Sequence, residues 1–296
     1  MLQAHRPGDR LRVLRRRDSR RPGLGGSTIS PRLAADDMSP RLHLHAWGDE
    51  SGVPVVCLHG VTGWGGHFAR LAATLGPRHR VLAPDLLGHG ESSWEPPWRI
   101  EDHLAALEAT LEARPATLVG HSFGARLAFE VAASTPGLVE RLVLLDPAIV
   151  LPPQIALWAA ENARRERLYA SFEEAIDRRY QESLLASAPR ALLEEELRGH
   201  LVEAADGWRY RYSQASVVTA HSELARPAPP FSRARVPTLV VLGASSHLPY
   251  DHLVEEHRAA LGDLLEVVTV PGGHTVLWDA PAETAEAIAT FLATSA

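Results

Sequence analysis

The sequence contains no lysine, a single cysteine and no apolar run long enough to cross a membrane as a helix. One thiol cannot form an intramolecular disulfide, and it cannot build a cysteine metal cluster. That thiol, Cys57, lies within Val55-Val56-Cys57-Leu58 and reads as a buried, inert side chain. With lysine absent, all thirty basic residues are arginine. Together with abundant Ala, Gly, Pro and Leu, this reads as the compositional bias of a GC-rich genome rather than as chemistry. Basic charge is also nearly absent as a net quantity from the body of the chain. Residues 1–35 hold nine Arg against Asp9 and Asp18, a net of +7, so the remainder carries −13 of the total −6. An acidic body argues against nucleic acid as the main partner. What the chain does have is length, 296 residues, and 45% hydrophobic content. That suffices for a large core, and one domain with an insertion fits better than two unrelated domains.

Residues 1–37 show no apolar periodicity and read as a disordered, Arg-rich extension. A transit peptide shares this composition. A twin-arginine export signal would need an apolar stretch after the arginines, and Asp18 through Ser30 is not one. An upstream extension before a working domain that starts near Met38, in the cytoplasm, is the expectation. From there strands and helices alternate. Strands are expected at Leu42–Trp47, Pro54–Leu58, Arg80–Ala83, Thr117–Val119, Arg141–Leu145, Pro237–Leu242 and Leu265–Val270. Helices are expected at His67–Leu75, Ile100–Ala113, Ala125–Ser134 and Ala282–Leu292. Such alternation implies a mostly parallel sheet with helices on both faces. Between 153 and 224 strand signals are lacking, and helices are expected at Gln154–Tyr169, Phe172–Leu185 and Pro189–Ala204. The domain plan is therefore a core of 38–147 and 233–296 with a helical cap inserted at 148–232.

Gly120-His121-Ser122-Phe123-Gly124 fits G-x-S-x-G between a strand and a helix, the context in which the pattern carries meaning. So tight a turn needs small flanking residues. It pushes the Ser122 hydroxyl above the sheet edge, and the following helix start offers N–H groups to a developing oxyanion. His59-Gly60-Val61 follows the apolar strand directly, and its glycine allows close backbone approach. The N–H groups of Val61 and Phe123 are the expected oxyanion donors, while His59 is expected to hold its loop by hydrogen bonding.

Residues 39–296 resemble the α/β-hydrolase superfamily. Four segments match in order: Leu58-His59-Gly60, the stretch Val81 to Ser92 containing Asp85-Leu86-Leu87-Gly88-His89-Gly90, the Ser122 elbow, and Pro271-Gly272-Gly273-His274. The resemblance implies an eight-stranded-type sheet with a helical cap. It implies Ser122 as nucleophile and His274 as base, with Asp85 organising a loop. It implies chemistry on a small-molecule substrate that needs no metal or organic cofactor. The commonest family position for the acid is three residues after Gly243, and here it is Ser246. A second family arrangement puts the acid after the strand that follows the elbow helix, at Asp146. Asp146 therefore ranks first, Asp251 second if the loop Ala244–Tyr250 folds back, and a missing acid third.

The expected reaction is hydrolysis of an ester-type bond (carboxylester, lactone or thioester) through an acyl-enzyme. The same residues could serve carbon–carbon bond hydrolysis, cofactor-free peroxidation or acyl transfer, since fold does not choose among these. A non-catalytic ligand-binding homologue is the reading from another class. Oligomeric state is not legible.

Overall fold

The computed structural model describes residues 42–110, 114–181 and 188–294. The expected extension at 1–37 lies outside them. Seven strands form one sheet: β1 (Leu44–Trp47), β2 (Val53–Leu58), β3 (His79–Pro84), β4 (Ala116–His121), β5 (Val139–Leu145), β9 (Thr238–Gly243) and β10 (Leu265–Val270). Their order is β1-β3-β2-β4-β5-β9-β10. Only β1 runs antiparallel, against β3, and every other pairing is parallel. Among the described residues the sheet thus has seven strands rather than the eight of the family type.

The central strands are mostly apolar because helices cover both faces. All six residues of β4 and the last four of β2 and β5 are buried. One face carries α2 (Ile100–Thr110) and α3 (Phe123–Ser134), which pack with Leu58, Leu118, Leu142 and Leu144. The other carries α1 (Ala69–Leu75) and α9 (Pro281–Ala293), which pack with Val55, Val119, Val143 and Val241. Each fully buried Val, Leu or Phe contributes roughly 1.5–3 kcal/mol before chain entropy is subtracted. Helix α3 is the most deeply set, with Leu127, Ala128, Phe129, Val131 and Ala132 at no measurable exposure.

Between β5 and β9 the chain leaves the sheet, and here the helical expectation needs correcting. The segment holds α4 (Pro153–Ala163), α5 (Phe172–Gln181), α6 (Arg190–His200) and α7 (Gln214–Glu223). It also holds a small antiparallel sheet, β6-β8-β7, of Leu168–Tyr169, Gly207–Tyr210 and Leu201–Ala204. The expected helices at Gln154–Tyr169 and Pro189–Ala204 therefore stop early, at Ala163 and His200. Alternation over only two to four residues is too short to register as a strand, and cross-strand pairing supplies the rest. A further helix, α8 (Asp251–Leu261), follows β9 and was not expected.

Backbone pairing and a buried arginine are two of the ties that hold this segment to the sheet-bearing part. Gly90 N–H donates to Arg211 O at 2.8 Å and Ser213 N–H to Gly88 O at 2.7 Å. The second tie is Arg126, on α3 and almost wholly buried. Its guanidinium donates to Ile149 O, where the segment begins, and to Arg226 O (3.2 Å) and Pro227 O (2.9 Å), where it ends. Glu130, one helical turn on, balances the charge at 2.8 Å.

Candidate active site

The strand order decides which residues meet. Ser122 follows β4, Asp146 follows β5, Ser246 lies three residues past the end of β9, and His274 follows β10. Because β5 lies between β4 and β9, Asp146 stands between Ser122 and the β9 loop. Ser122 N–H donates to Leu145 O at 3.0 Å, and Asp146 N–H to Val241 O at 2.7 Å. These bonds lock both strand ends side by side.

Ser122 sits at φ 55° and ψ −114°, a left-handed backbone that a non-glycine residue rarely adopts. The strain is held by close packing beneath it. A Cβ on Gly124 would lie 2.1 Å from Leu58 O, and one on Gly60 would lie 3.2 Å from Ser122 Cβ. Glycine at 124 lets α3 press against the end of β2. Glycine at 60 lets the loop after β2 pass beside the serine. Asp146 is the second non-glycine residue with positive φ, at 37°.

Three side chains form one hydrogen-bonded line. His274 Nε2 lies 3.0 Å from Ser122 Oγ, and His274 Nδ1 lies 2.7 Å from Asp146 Oδ2. Nδ1 donates to the carboxylate, which leaves Nε2 as the acceptor for the serine hydroxyl. Ser122 and Asp146 are buried, and the His274 side chain is 13% exposed. Ser246, at the commonest family position for the acid, donates its hydroxyl to Asp146 Oδ2 at 2.5 Å. Gly243 N–H donates to Asp146 Oδ1 at 2.9 Å. Burial opposes charge on Asp146, but the bond from His274, its positive field, Ser246 and Gly243 outweigh it. The carboxyl is held below its ordinary range. Asp251 is the first residue of α8, and its side chain lies outside the described set.

Of the two expected oxyanion donors, Phe123 follows Ser122 directly in the chain and Val61 follows Gly60, which passes beside the serine. Phe123 opens α3, so its N–H has no acceptor within the helix. Val61 lies in the turn closed by Gly63 N–H donating to Gly60 O at 2.9 Å. The turn is fixed by histidines. His59 donates from Nδ1 to Gly60 O (2.8 Å) and accepts from Leu86 N–H at Nε2 (2.9 Å). His89 donates from Nε2 to Val61 O at 2.7 Å. Burial pushes both imidazoles down, His59 well below its ordinary value, each lowered further by a neighbouring histidine. His89 Nδ1 also faces a carbonyl, Leu87 O, at 3.0 Å. Asp85 accepts from Gly65 N–H (2.8 Å), Glu91 N–H (3.0 Å) and His45 Nε2 (3.1 Å), so it organises loops as expected.

Sequence reasoning passed over two supporting histidines. His121, the variable residue before the serine, donates from Nε2 to His274 O at 2.9 Å. It thereby anchors the loop that carries the imidazole, and burial and the His274 charge push it down to about 3. His247 packs edge-on to His274 with centroids 5.5 Å apart. His121 lay within the motif but has no fixed identity there, and His247 lies in a loop without a pattern. The insertion's aromatic residues mostly pack on one another. Phe172 meets Trp208 and Tyr210 stacks on Tyr212, while Trp158 is 70% exposed.

Residues 55–287 match the model of the family described as the alpha/beta hydrolase family. Lipase LipV of Mycobacterium tuberculosis is 34% identical over 253 residues, spanning 83% of this chain and 96% of that protein. The sn-1-specific diacylglycerol lipase ABHD11 of Mus musculus is 29% identical over 264 residues, spanning 83% of each. The solved structure of E-2-(acetamidomethylene)succinate hydrolase superposes with a TM-score of 0.76 at 27% identity, covering 86% of this chain and 95% of that one.

Proposed function

The chain belongs to the alpha/beta hydrolase family, and from that premise we propose that it is a serine hydrolase of ester-type bonds in a small-molecule substrate. Ser122 is the nucleophile, His274 the base and Asp146 the acid. The observation that carries this reading is the unbroken line from Ser122 Oγ through the imidazole to Asp146 Oδ2. Relatives named for lipase activity support ester cleavage over the other reactions open to such a site.

In the proposed reaction His274 Nε2 takes the hydroxyl proton as Ser122 Oγ attacks the acyl carbon. Negative charge then gathers on the former carbonyl oxygen, where the N–H groups of Val61 and Phe123 receive it. One such donor is worth about 3 kcal/mol. The imidazolium passes its proton to the leaving alcohol, which departs with the electrons of the broken C–O bond. Water, deprotonated by His274, then attacks the acyl-enzyme and frees Ser122. Asp146 holds the tautomer and stabilises the imidazolium throughout. Because Ser246 donates to Asp146 instead of replacing it, a line with an acid is favoured over a non-catalytic one. The segment from 148 to 232 acts as a cap that bounds the acyl or alcohol pocket, clasped at both ends by Arg126.

The test is covalent labelling with a fluorophosphonate, followed by turnover of p-nitrophenyl esters of graded acyl length. Wild type should label with one equivalent and turn over at least one ester. Ser122→Ala should do neither while keeping its circular dichroism spectrum. Undiminished turnover in Ser122→Ala, or folded wild type that never labels, rejects the assignment.

A further inference from the structure

One buried polar cluster takes no part in the proposed reaction. His67 lies in the turn Gly65–Phe68 that leads into α1, while Glu196 and His200 lie on α6. Their spacing of four residues puts both on one helix face. His67 Nε2 and His200 Nδ1 both approach Glu196 Oε1, the second at 3.1 Å. The three side chains are only 5%, 7% and 1% exposed. One ligand-capable atom of each lies within 4.8 Å of the others. The rings of Trp64, Trp278, Tyr210 and Tyr212 pack around them.

We propose that His67, Glu196 and His200 bind a divalent transition-metal ion, zinc by the chemistry of the donor set, which fastens α6 to the turn beside Gly60–Gly63. Two imidazole nitrogens and a carboxylate oxygen are a set that zinc accepts, with a fourth position for water. Zinc–ligand bonds of about 2.0–2.2 Å place tetrahedral ligand atoms roughly 3.3 Å apart. The ligand atoms lie within 4.8 Å of one another, and side-chain rotations of both imidazoles and the carboxylate bring them to that spacing. Each imidazole now points an N–H at Glu196 Oε1. The ion takes the place of these two protons, and each proton moves to the other nitrogen of its own ring. For His200 this breaks nothing, because its Nε2 is buried without a partner. Trp64 Nε1 and Tyr210 Oη, on rings that pack against His200, are likewise buried and unpartnered.

A second cluster, His43, His45 and Asp85, has ligand atoms equally close. There Asp85 is already committed to the N–H groups of Gly65 and Glu91, so it is the poorer site. The inference does not depend on Ser122 being a nucleophile.

The test uses the full chain, treated with chelator and then titrated with zinc by calorimetry and with cobalt(II) by visible absorption. Wild type should bind one equivalent and show a tetrahedral cobalt spectrum. Its thermal midpoint should rise by about 5–10 °C at zinc 100-fold above Kd. Glu196→Gln and His200→Ala should each weaken binding about 100-fold or more. His200→Gln serves if the alanine variant does not fold, and circular dichroism checks each protein. Wild type without saturable zinc binding overturns the proposal. So does binding that is unchanged in folded variants, or binding abolished instead by His45→Asn.

Discussion

Replacing Asp146 by asparagine tests the proposed chemistry at the point where the sequence left alternatives. The substitution keeps shape and volume but removes the charge and half of the acceptor capacity. Gly243 N–H fixes Oδ1 as an acceptor, so the new amide group must occupy the place of Oδ2. There it meets two groups that now donate, His274 Nδ1–H at 2.7 Å and the Ser246 hydroxyl at 2.5 Å. The hydroxyl can rotate away. The imidazole can relieve the clash only by moving its proton to Nε2. That nitrogen then presents N–H to Ser122 and cannot accept its proton. The same exchange in a serine protease lowers kcat by about 10⁴, or about 5 kcal/mol.

The structure adds a rescue. Asp146→Ala with Ser246→Asp puts a carboxylate on the β9 loop, whose residue 246 already reaches the carboxylate contacting His274. That pair should recover at least tenfold over Asp146→Ala alone. Ser246→Asp by itself places two carboxylates on one imidazole and should lower activity at pH 7, since one must take up a proton. The assay is kcat/KM on an activated ester from pH 6 to 9, normalised by fluorophosphonate titration. Asp146→Asn retaining more than a tenth of wild-type kcat with normal labelling would refute the reasoning and turn attention to Asp251.

Three further outcomes follow from the packing. Arg126→Ala strips hydrogen bonds from three hinge carbonyls and leaves Glu130 unbalanced, so it should cost about 3 kcal/mol in urea unfolding. It should also speed hydrogen exchange near Ile149 and Pro227, and exchange equal to wild type would remove the clasp. Gly124→Ala forces a Cβ to 2.1 Å from Leu58 O. It should lose soluble folded protein or several kcal/mol, and a shift under about 1 kcal/mol would contradict the close approach. His103 is buried, with Nδ1 unpartnered, and burial pushes it down to about 3. The unfolded chain binds that proton first, near pH 6.5. Its contribution is therefore present above pH 6.5 and lost as pH falls towards 3. About 2 kcal/mol goes between pH 7 and pH 5. Because other buried histidines are pushed down as well, His103→Leu should lessen the fall of stability over that interval by about 2 kcal/mol without abolishing it, and an unchanged slope would refute the contribution of His103.

Much of the site was legible because its chemistry rests on local backbone demands. The Ser122 elbow needs glycines at 120 and 124 and a strand before it, all contiguous in sequence. The same holds for His59-Gly60-Val61 and for the Pro-Gly-Gly loop before His274. The strands of the main sheet were legible too, since burial on both faces writes the central ones as apolar runs and the edge strand Leu44–Trp47 shows period-two alternation. Short strands such as Leu168–Tyr169 and Leu201–Ala204 were not. Two to four residues carry no periodicity, and only pairing with Gly207–Tyr210 makes them strands.

The identity of the anion beside His274 belonged to the tertiary level. Asp146 and Ser246 are a hundred positions apart, and both follow strands of similar appearance. Which one faces the imidazole depends on β5 lying between β4 and β9, and on the Asp146 backbone at φ 37° turning its carboxylate under the Ser246 hydroxyl. Long-range hydrogen bonds of that kind leave no local trace. The same is true of the long-range partners of Arg126, His121 and His67, which lie 23 to 153 residues away. Composition and local pattern name the residues able to do chemistry. The packing of the sheet chooses which of them meet.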